Sequence, residues 1–216
     1  MDWPEIRARL EYAHGPGQWP RTLSALDELI STILSQATSD RNRDRAFKSL
    51  RERFPTWREV ALAQPGQVVA AIHCGGLAPT KAPRIQEVLR RVRGSYGDYL
   101  LPETIPAEEL FSFLLTLPGV GPKTARIVML FSRGEPRFPV DTHIHRVGRR
   151  LGLFPFRASP TQAMEQLEKN IPAGMQQALH LLLIEHGRRT CRPRPNCESC
   201  VLADRCPSRG VAVRTG

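Results

Sequence analysis

The sequence predicts an all-α protein. Apolar residues recur at three- and four-residue spacing in about ten separate runs, as in Leu26, Leu29, Ile30, Ile33 and Leu34. No stretch alternates apolar and polar residues persuasively enough to be a strand, and breakers such as Pro55, Pro65 and the Gly15-Pro16-Gly17 cluster separate several of the runs. No internal repeat or low-complexity segment is evident. At 216 residues and 41% hydrophobic, the chain can build one large domain or two small ones.

In chain order, residues 1–10 are expected as a short amphipathic helix, with Ile6 and Leu10 on one side, closed by the breakers His14-Gly15-Pro16-Gly17. A buried helix follows from Leu23 and stops in the polar patch Ser35-Gln36-Ala37-Thr38-Ser39-Asp40. Residues 41–54, 57–63 and 67–72 read as three short helices divided by Pro55 and Pro65. A glycine turn then presents Leu77, readable equally as a core leucine, before a helix expected over 85–96. After a loop over 97–106, a helix from Ala107 leads into Leu117-Pro118-Gly119-Val120-Gly121. Further helices are expected over 142–151, 161–170 and 175–186, and the tail beyond Cys206, with only Val211 and Val213 to bury, is expected to fray. On the helix over 142–151, Arg146, Arg149 and Arg150 form a basic face that suits a phosphate backbone or solvent equally well.

Composition narrows the partners. Lys+Arg 31 against Asp+Glu 21 gives a net charge of +10 and a pI near 10.1, which favours a polyanion such as nucleic acid. An aromatic content of 6% argues against a surface of base-stacking rings. No apolar run approaches the roughly 20 residues that span a bilayer, and the first residues lack the apolar core of a signal peptide, so a cytoplasmic protein is expected.

The glycine hairpin joins two helices, and the second begins just after Gly121. Its unpaired N–H groups and positive dipole end make an anion site. Pro122 suits the first helical position, and Lys123 falls in the first turn, where the dipole disfavours a cation and so favours a neutral, nucleophilic amine. Taken alone, a GxG-K pattern is more often an ordinary hairpin beside a solvated lysine. Asp141, before the run from Thr142, reads as an N-cap, and a carboxylate fixed by backbone N–H groups is also suited to stabilising positive charge.

Cys191, Cys197, Cys200 and Cys206 form C-x5-C-x2-C-x5-C, four thiols within one compact loop. That density implies a metal. Tetrahedral zinc and a [4Fe–4S] cluster both accept four cysteines, and the spacing hardly separates them. Cys74, distant from these four, reads as a small buried hydrophobe.

From Leu117 to Ala125 and from Val140 to His143 the sequence resembles the endonuclease III family of helix-hairpin-helix (HhH-GPD) DNA glycosylases, whose pattern is LPGVGxKTA…VDTH. The resemblance extends from about Leu23 to Cys206. It implies that Lys123 attacks C1′ of a damaged nucleotide while Asp141 assists, and that Gly119, Val120, Gly121, Thr124 and His143 lie at the DNA. Adenine glycosylases of the superfamily usually lack this lysine, so Lys123 implies a bifunctional glycosylase and AP lyase of base excision repair that removes damaged, oxidised pyrimidines and cuts by β-elimination. Leu77 matches the family's wedge into the duplex. Ala37 stands where the family often carries a gap-filling glutamine, leaving Gln36 as the substitute. His186-Gly187-Arg188 before Cys191 matches the family's [4Fe–4S] loop, favouring that cluster over zinc, with a first gap of five residues where six is usual. Arg192 and Arg194 in that gap become phosphate contacts, and His145 stands where an aromatic residue is common.

The implied architecture is two helical domains flanking a DNA-binding cleft: a six-helix bundle with the hairpin at residues 20–135, and a discontinuous iron–sulfur domain at 1–19 and 136–216. The implied partner is double-stranded DNA with damaged bases, bound by a monomer, nucleoid-associated if bacterial. The alternatives are an AP-site lyase or monofunctional glycosylase for another lesion, or a non-catalytic DNA-binding module.

Overall fold

The computed structural model describes residues 2–17 and 23–209. Eleven α-helices and two 3₁₀ turns form the regular structure of these described residues, which contain no strand. The chain divides into two compact units, Thr22–Glu135 and Met1–Arg21 with Pro136–Gly216. The expected fraying around Val211 and Val213 falls outside the described residues.

The Thr22–Glu135 unit holds α2 (Ala25–Ser35), α3 (Asp40–Arg53), α4 (Trp57–Leu62), α5 (Pro65–Ile72), a 3₁₀ turn (His73–Gly75), α6 (Ala78–Tyr96), α7 (Ala107–Thr116) and α8 (Pro122–Arg133). Apolar residues occupy more than one face of α2, so neighbours cover it from several sides: it packs on α3, α6 and α8, and Leu29, Ile30, Ile33 and Leu34 are fully buried. Each such side chain stabilises the fold by about 1.5–3 kcal/mol. Ser24 caps the start of α2 by accepting from the Asp27 N–H at 3.1 Å. The Trp57 indole N–H donates to Asp27 Oδ1 at 2.9 Å, tying α4 to the same end.

The other unit holds α1 (Trp3–His14), α9 (Thr142–Leu151), α10 (Pro160–Asn170), α11 (Gln176–Arg189) and a 3₁₀ turn (Ala203–Arg205). Both α1 and α9 pack on α11, around a core that includes Leu10, Phe138, Ile144, Val147, Leu167, Leu179 and Leu183. Arg9 secures α1 to the cysteine loop, donating to the Val201 carbonyl at 3.1 Å and to Asp204 at 2.6 Å.

Three helices depart from the sequence expectation. α1 continues to His14 and ends only where Gly15 takes φ +80°, because the first glycine, not the last apolar residue, sets the stop. α11 runs one turn beyond His186, carrying Gly187, Arg188 and Arg189 into the helix. α6 begins at Ala78 rather than at residue 85, despite two prolines. Pro79 lies in the first turn, where no N–H is needed, and Pro83 forgoes one backbone bond. The buried stripe of Ala78, Ala82, Ile85, Val88 and Leu89 offsets that loss.

Candidate functional site

The hairpin is fixed by its apolar flanks. Leu117 and Val120 are buried, and the Val120 N–H donates to the Leu117 carbonyl at 3.1 Å. Gly119 takes φ +75° with the Arg84 side chain pressed on it, and a Cβ there would lie 2.4 Å from Arg84 Cδ and Nε. Only glycine suits both demands. Gly121 is the extended N-cap of α8 and offers no side chain to the first-turn N–H groups. Lys123 is exposed in that first turn, whereas Thr124 turns into the core. An amine in water therefore sits beside backbone donors that lack a side-chain cap.

Two irregular turns belong to the same unit. Among the described residues, Ala37 (φ 52°) and Leu77 (φ 51°) are the non-glycine residues in the left-handed region, a conformation that carries about 1–2 kcal/mol of strain each. Leu77 is 57% exposed, so it is not the core leucine that its turn equally suggested. Gln36 is engaged within the protein: its Nε2 donates to the Gly119 carbonyl at 3.0 Å, and its Oε1 accepts from Arg84 Nη1 at 2.9 Å. Arg84 thus joins the polar turn to the hairpin. Nothing in the motif pattern singled it out; the available signal was a charged residue one turn from an apolar helical stripe.

Asp141 belongs to the other unit and is the N-cap of α9. Its Oδ1 accepts from the Ile144 N–H at 2.8 Å, and its backbone is extended behind buried Phe138 and Val140. His143, half-buried, accepts at Nδ1 from Arg146 Nη2 at 3.2 Å. His145 stacks on Phe154 with centroids 5.4 Å apart, and its Nε2 donates to the Ala158 carbonyl at 2.9 Å. The imidazole therefore makes a ring contact where an aromatic residue was anticipated.

The four loop cysteines line one cavity together with His186 and Arg150, and all are free thiols. No three His, Cys, Asp or Glu side chains among the described residues are grouped so as to hold one metal ion. Burial raises the Cys200 and Cys206 thiols above the usual cysteine range, and the other loop cysteines add to the effect. Cys200 Sγ lies 3.6 Å from His186 Nε2, and His186 Nδ1 is hydrogen-bonded to His14 Nε2 at 3.0 Å. Burial, then His14, lowers His186 to about 4.

The arginines of α9 do not form the outward face that the sequence suggested. Arg150 is buried, donating to the Arg192 carbonyl at 2.6 Å, the Pro193 carbonyl at 2.9 Å and Cys191 Sγ at 3.4 Å. Arg146 donates to the Cys191 carbonyl at 2.9 Å and the Gly187 carbonyl at 2.8 Å. Carbonyls of the cysteine loop and of the last turn of α11, rather than solvent, take these guanidinium donors. The loop so held leaves the side chains of Arg192 and Arg194 exposed.

A model of the HhH-GPD superfamily of base excision DNA repair proteins matches residues 30–173. Endonuclease III of Thermotoga maritima is 40% identical over 179 residues, covering 82% of this chain and 80% of that protein. Endonuclease III of Sulfolobus acidocaldarius is 33% identical over 189 residues, covering 86% and 83%. A trapped covalent intermediate of an endonuclease III with DNA superposes with a TM-score of 0.81 at 28% identity, over 96% of both chains.

Proposed function

The chain belongs to the HhH-GPD superfamily of base excision repair DNA glycosylases and is endonuclease III-like, and from that premise we propose a bifunctional glycosylase and AP lyase for oxidised pyrimidines in duplex DNA. The observation that carries this reading is the exposed amine of Lys123 in the first turn of α8, next to an uncapped hairpin. Its lone pair attacks C1′, the C1′–N bond breaks, and the base departs with a proton. Opening of the sugar ring leaves an imine between Nζ and C1′. Loss of a C2′ proton then expels the 3′ phosphate, cutting the strand. In this reading Asp141, whose Oδ1 is fixed by the Ile144 N–H, stabilises positive charge on the sugar and accepts the proton of the attacking amine.

The same geometry supports the proposed DNA contacts. The N–H of Gly121 and the start of α8 suit a phosphate, with Gly119 permitting the bend and buried Val120 and Thr124 anchoring it. Exposed, strained Leu77 suits a wedge that offsets the few kcal/mol needed to unstack a base. Gln36, beside it in function, faces the orphaned partner base; His143 lies next to Asp141; and Arg192 and Arg194 grip the backbone from the cysteine loop. We take the unit Thr22–Glu135 as the hairpin-bearing domain and the remainder as the cluster domain. The proposed protein is a monomer that acts in the cytoplasm; among the described residues no helix is long and apolar enough to cross a membrane.

Four cysteines that line one cavity suit a [4Fe–4S] cluster, with tetrahedral zinc as the alternative. Cys191, Cys197, Cys200 and Cys206 would each hold one iron as thiolate, which for Cys200 and Cys206 would reverse the raised thiol values. When bound, such a group supplies structure, clamping the loop that carries Arg192 and Arg194.

Lys123→Gln is the decisive test, on a panel of oxidised-pyrimidine, alkylated, mismatched and abasic duplexes. Base release and borohydride trapping are both expected to fall by about 10³-fold or more. Trapping that survives would move the nucleophile elsewhere. Asp141→Asn, in the same assay, should slow base release about 10²-fold while leaving duplex affinity unchanged.

A further inference from the structure

Lys81, in the first turn of α6, is 1% exposed, and the chemistry above makes no use of it. Its Nζ donates to the Leu34 carbonyl at 2.7 Å and to the Gly75 carbonyl at 2.9 Å. Burying an ammonium is unfavourable unless it is well partnered, and burial, followed by the nearby Arg84 guanidinium, lowers Lys81 from the usual lysine value. An apolar side chain would fill the same space with less penalty, so a cation here implies a return elsewhere.

That return lies in what the two carbonyls precede. Leu34 is in the last turn of α2, where carbonyls lack intrahelical partners and the dipole favours a cation. After Ser35 come Gln36 and left-handed Ala37. Gly75 closes the 3₁₀ turn so near α3 that a Cβ on it would lie 2.9 Å from Ala46 Cβ. Left-handed Leu77 follows there. Residues in that conformation persist only where their surroundings over-determine them, and one ammonium holds the backbone leading into both.

We propose that Lys81 is a positioning residue that sets the turn at residues 36–37 and the turn at residue 77 in one register, so that the gap-filling and wedging groups meet a duplex together. The proposal rests on the assignment of those turns to DNA in the preceding section. Lys81 touches neither substrate nor reacting atoms; it acts through the two turns.

The test uses the full chain with Lys81→Met, which keeps the volume, and Lys81→Gln, which keeps a donor. First, amide hydrogen exchange is measured without DNA. In Lys81→Met, exchange at residues 36–38 and at 77–78 should rise together, with Lys81→Gln in between. A rise at one turn alone, or at neither, overturns the proposal. Second, single-turnover base release is compared for a lesion in paired duplex and the same lesion in an unpaired bubble, which needs no extrusion. Lys81→Met should lose about 30-fold on the paired substrate and no more than about threefold on the bubble. Equal losses would make Lys81 a general support of the fold and overturn its positioning role. If Lys81→Met melts below the assay temperature, Lys81→Gln carries both measurements. Should the unsubstituted protein release no base from either substrate, the glycosylase reading fails, while the exchange data still decide whether Lys81 couples the turns.

Discussion

Two regions of the molecule hold irregular backbone by one device, a buried cation bonded to main-chain carbonyls, yet they differ in how they are completed. In the Thr22–Glu135 unit Lys81 bridges Leu34 and Gly75, and a closed apolar core surrounds it. In the other unit Arg146 and Arg150 hold carbonyls of Gly187, Cys191, Arg192 and Pro193, but the loop they hold turns four sulfurs toward one cavity. The first arrangement is finished by the chain's own atoms; the second lines the cavity proposed above to hold a [4Fe–4S] cluster. A basic residue in a DNA repair protein therefore need not face DNA. Nearby carbonyls without partners claim it first.

Withdrawing metal should break the symmetry between the units most strongly. With iron stripped by a chelator, the segment between Cys191 and Cys206 should lose protection from proteolysis and hydrogen exchange while Thr22–Glu135 keeps its own, since a structural metal centre contributes on the order of 10 kcal/mol. Equal loss in both units would show that they share one folding equilibrium and dissolve the comparison. A smaller effect is expected from Arg150→Met, which strands loop carbonyls. Denaturant melts should show a loss of about 2–3 kcal/mol, with faster bleaching of the visible iron–sulfur absorbance. Arg149→Met is the matched control: that guanidinium lies 4.9 Å over the exposed Phe156 ring, a contact worth about 0.5–1 kcal/mol. Similar losses for the two arginines would mean that the inward bonds contribute nothing special. The smallest effect belongs to the self-sufficient unit. Ser24→Ala removes the cap of α2 and should shift the urea midpoint by an amount equivalent to about 1 kcal/mol, without altering iron content.

What could be read from the sequence was whatever rests on local chemistry. The start of α8 was legible because Gly121-Pro122 ends one backbone geometry and presets the next, and Asp141 was legible because a carboxylate before a helical run caps it. The cysteine loop announced itself by density alone. What escaped depends on which face a helix buries. Arg146 and Arg150 look the same whether they point at solvent or at a loop far along the chain, and only the packing of α9 on α11 decides. The early start of α6 escaped because Pro79 and Pro83 signal a break locally, whereas the apolar stripe that overrides them is satisfied only by the assembled core. Lys81 left one faint sign, a cation inside the spacing of Ala78, Ala82 and Ile85. Its partners at Leu34 and Gly75 could not be found without the tertiary fold.

The engagement of Gln36 has a consequence for selectivity. Its amide already gives a proton to Gly119 and takes one from Arg84, so a newcomer that claims this side chain must return both favours. A nucleobase edge carrying a donor beside an acceptor makes an even trade. A one-sided or greasy visitor leaves the exchange short by about 1 kcal/mol for each bond not replaced, and the resting arrangement thereby screens what is allowed to stay.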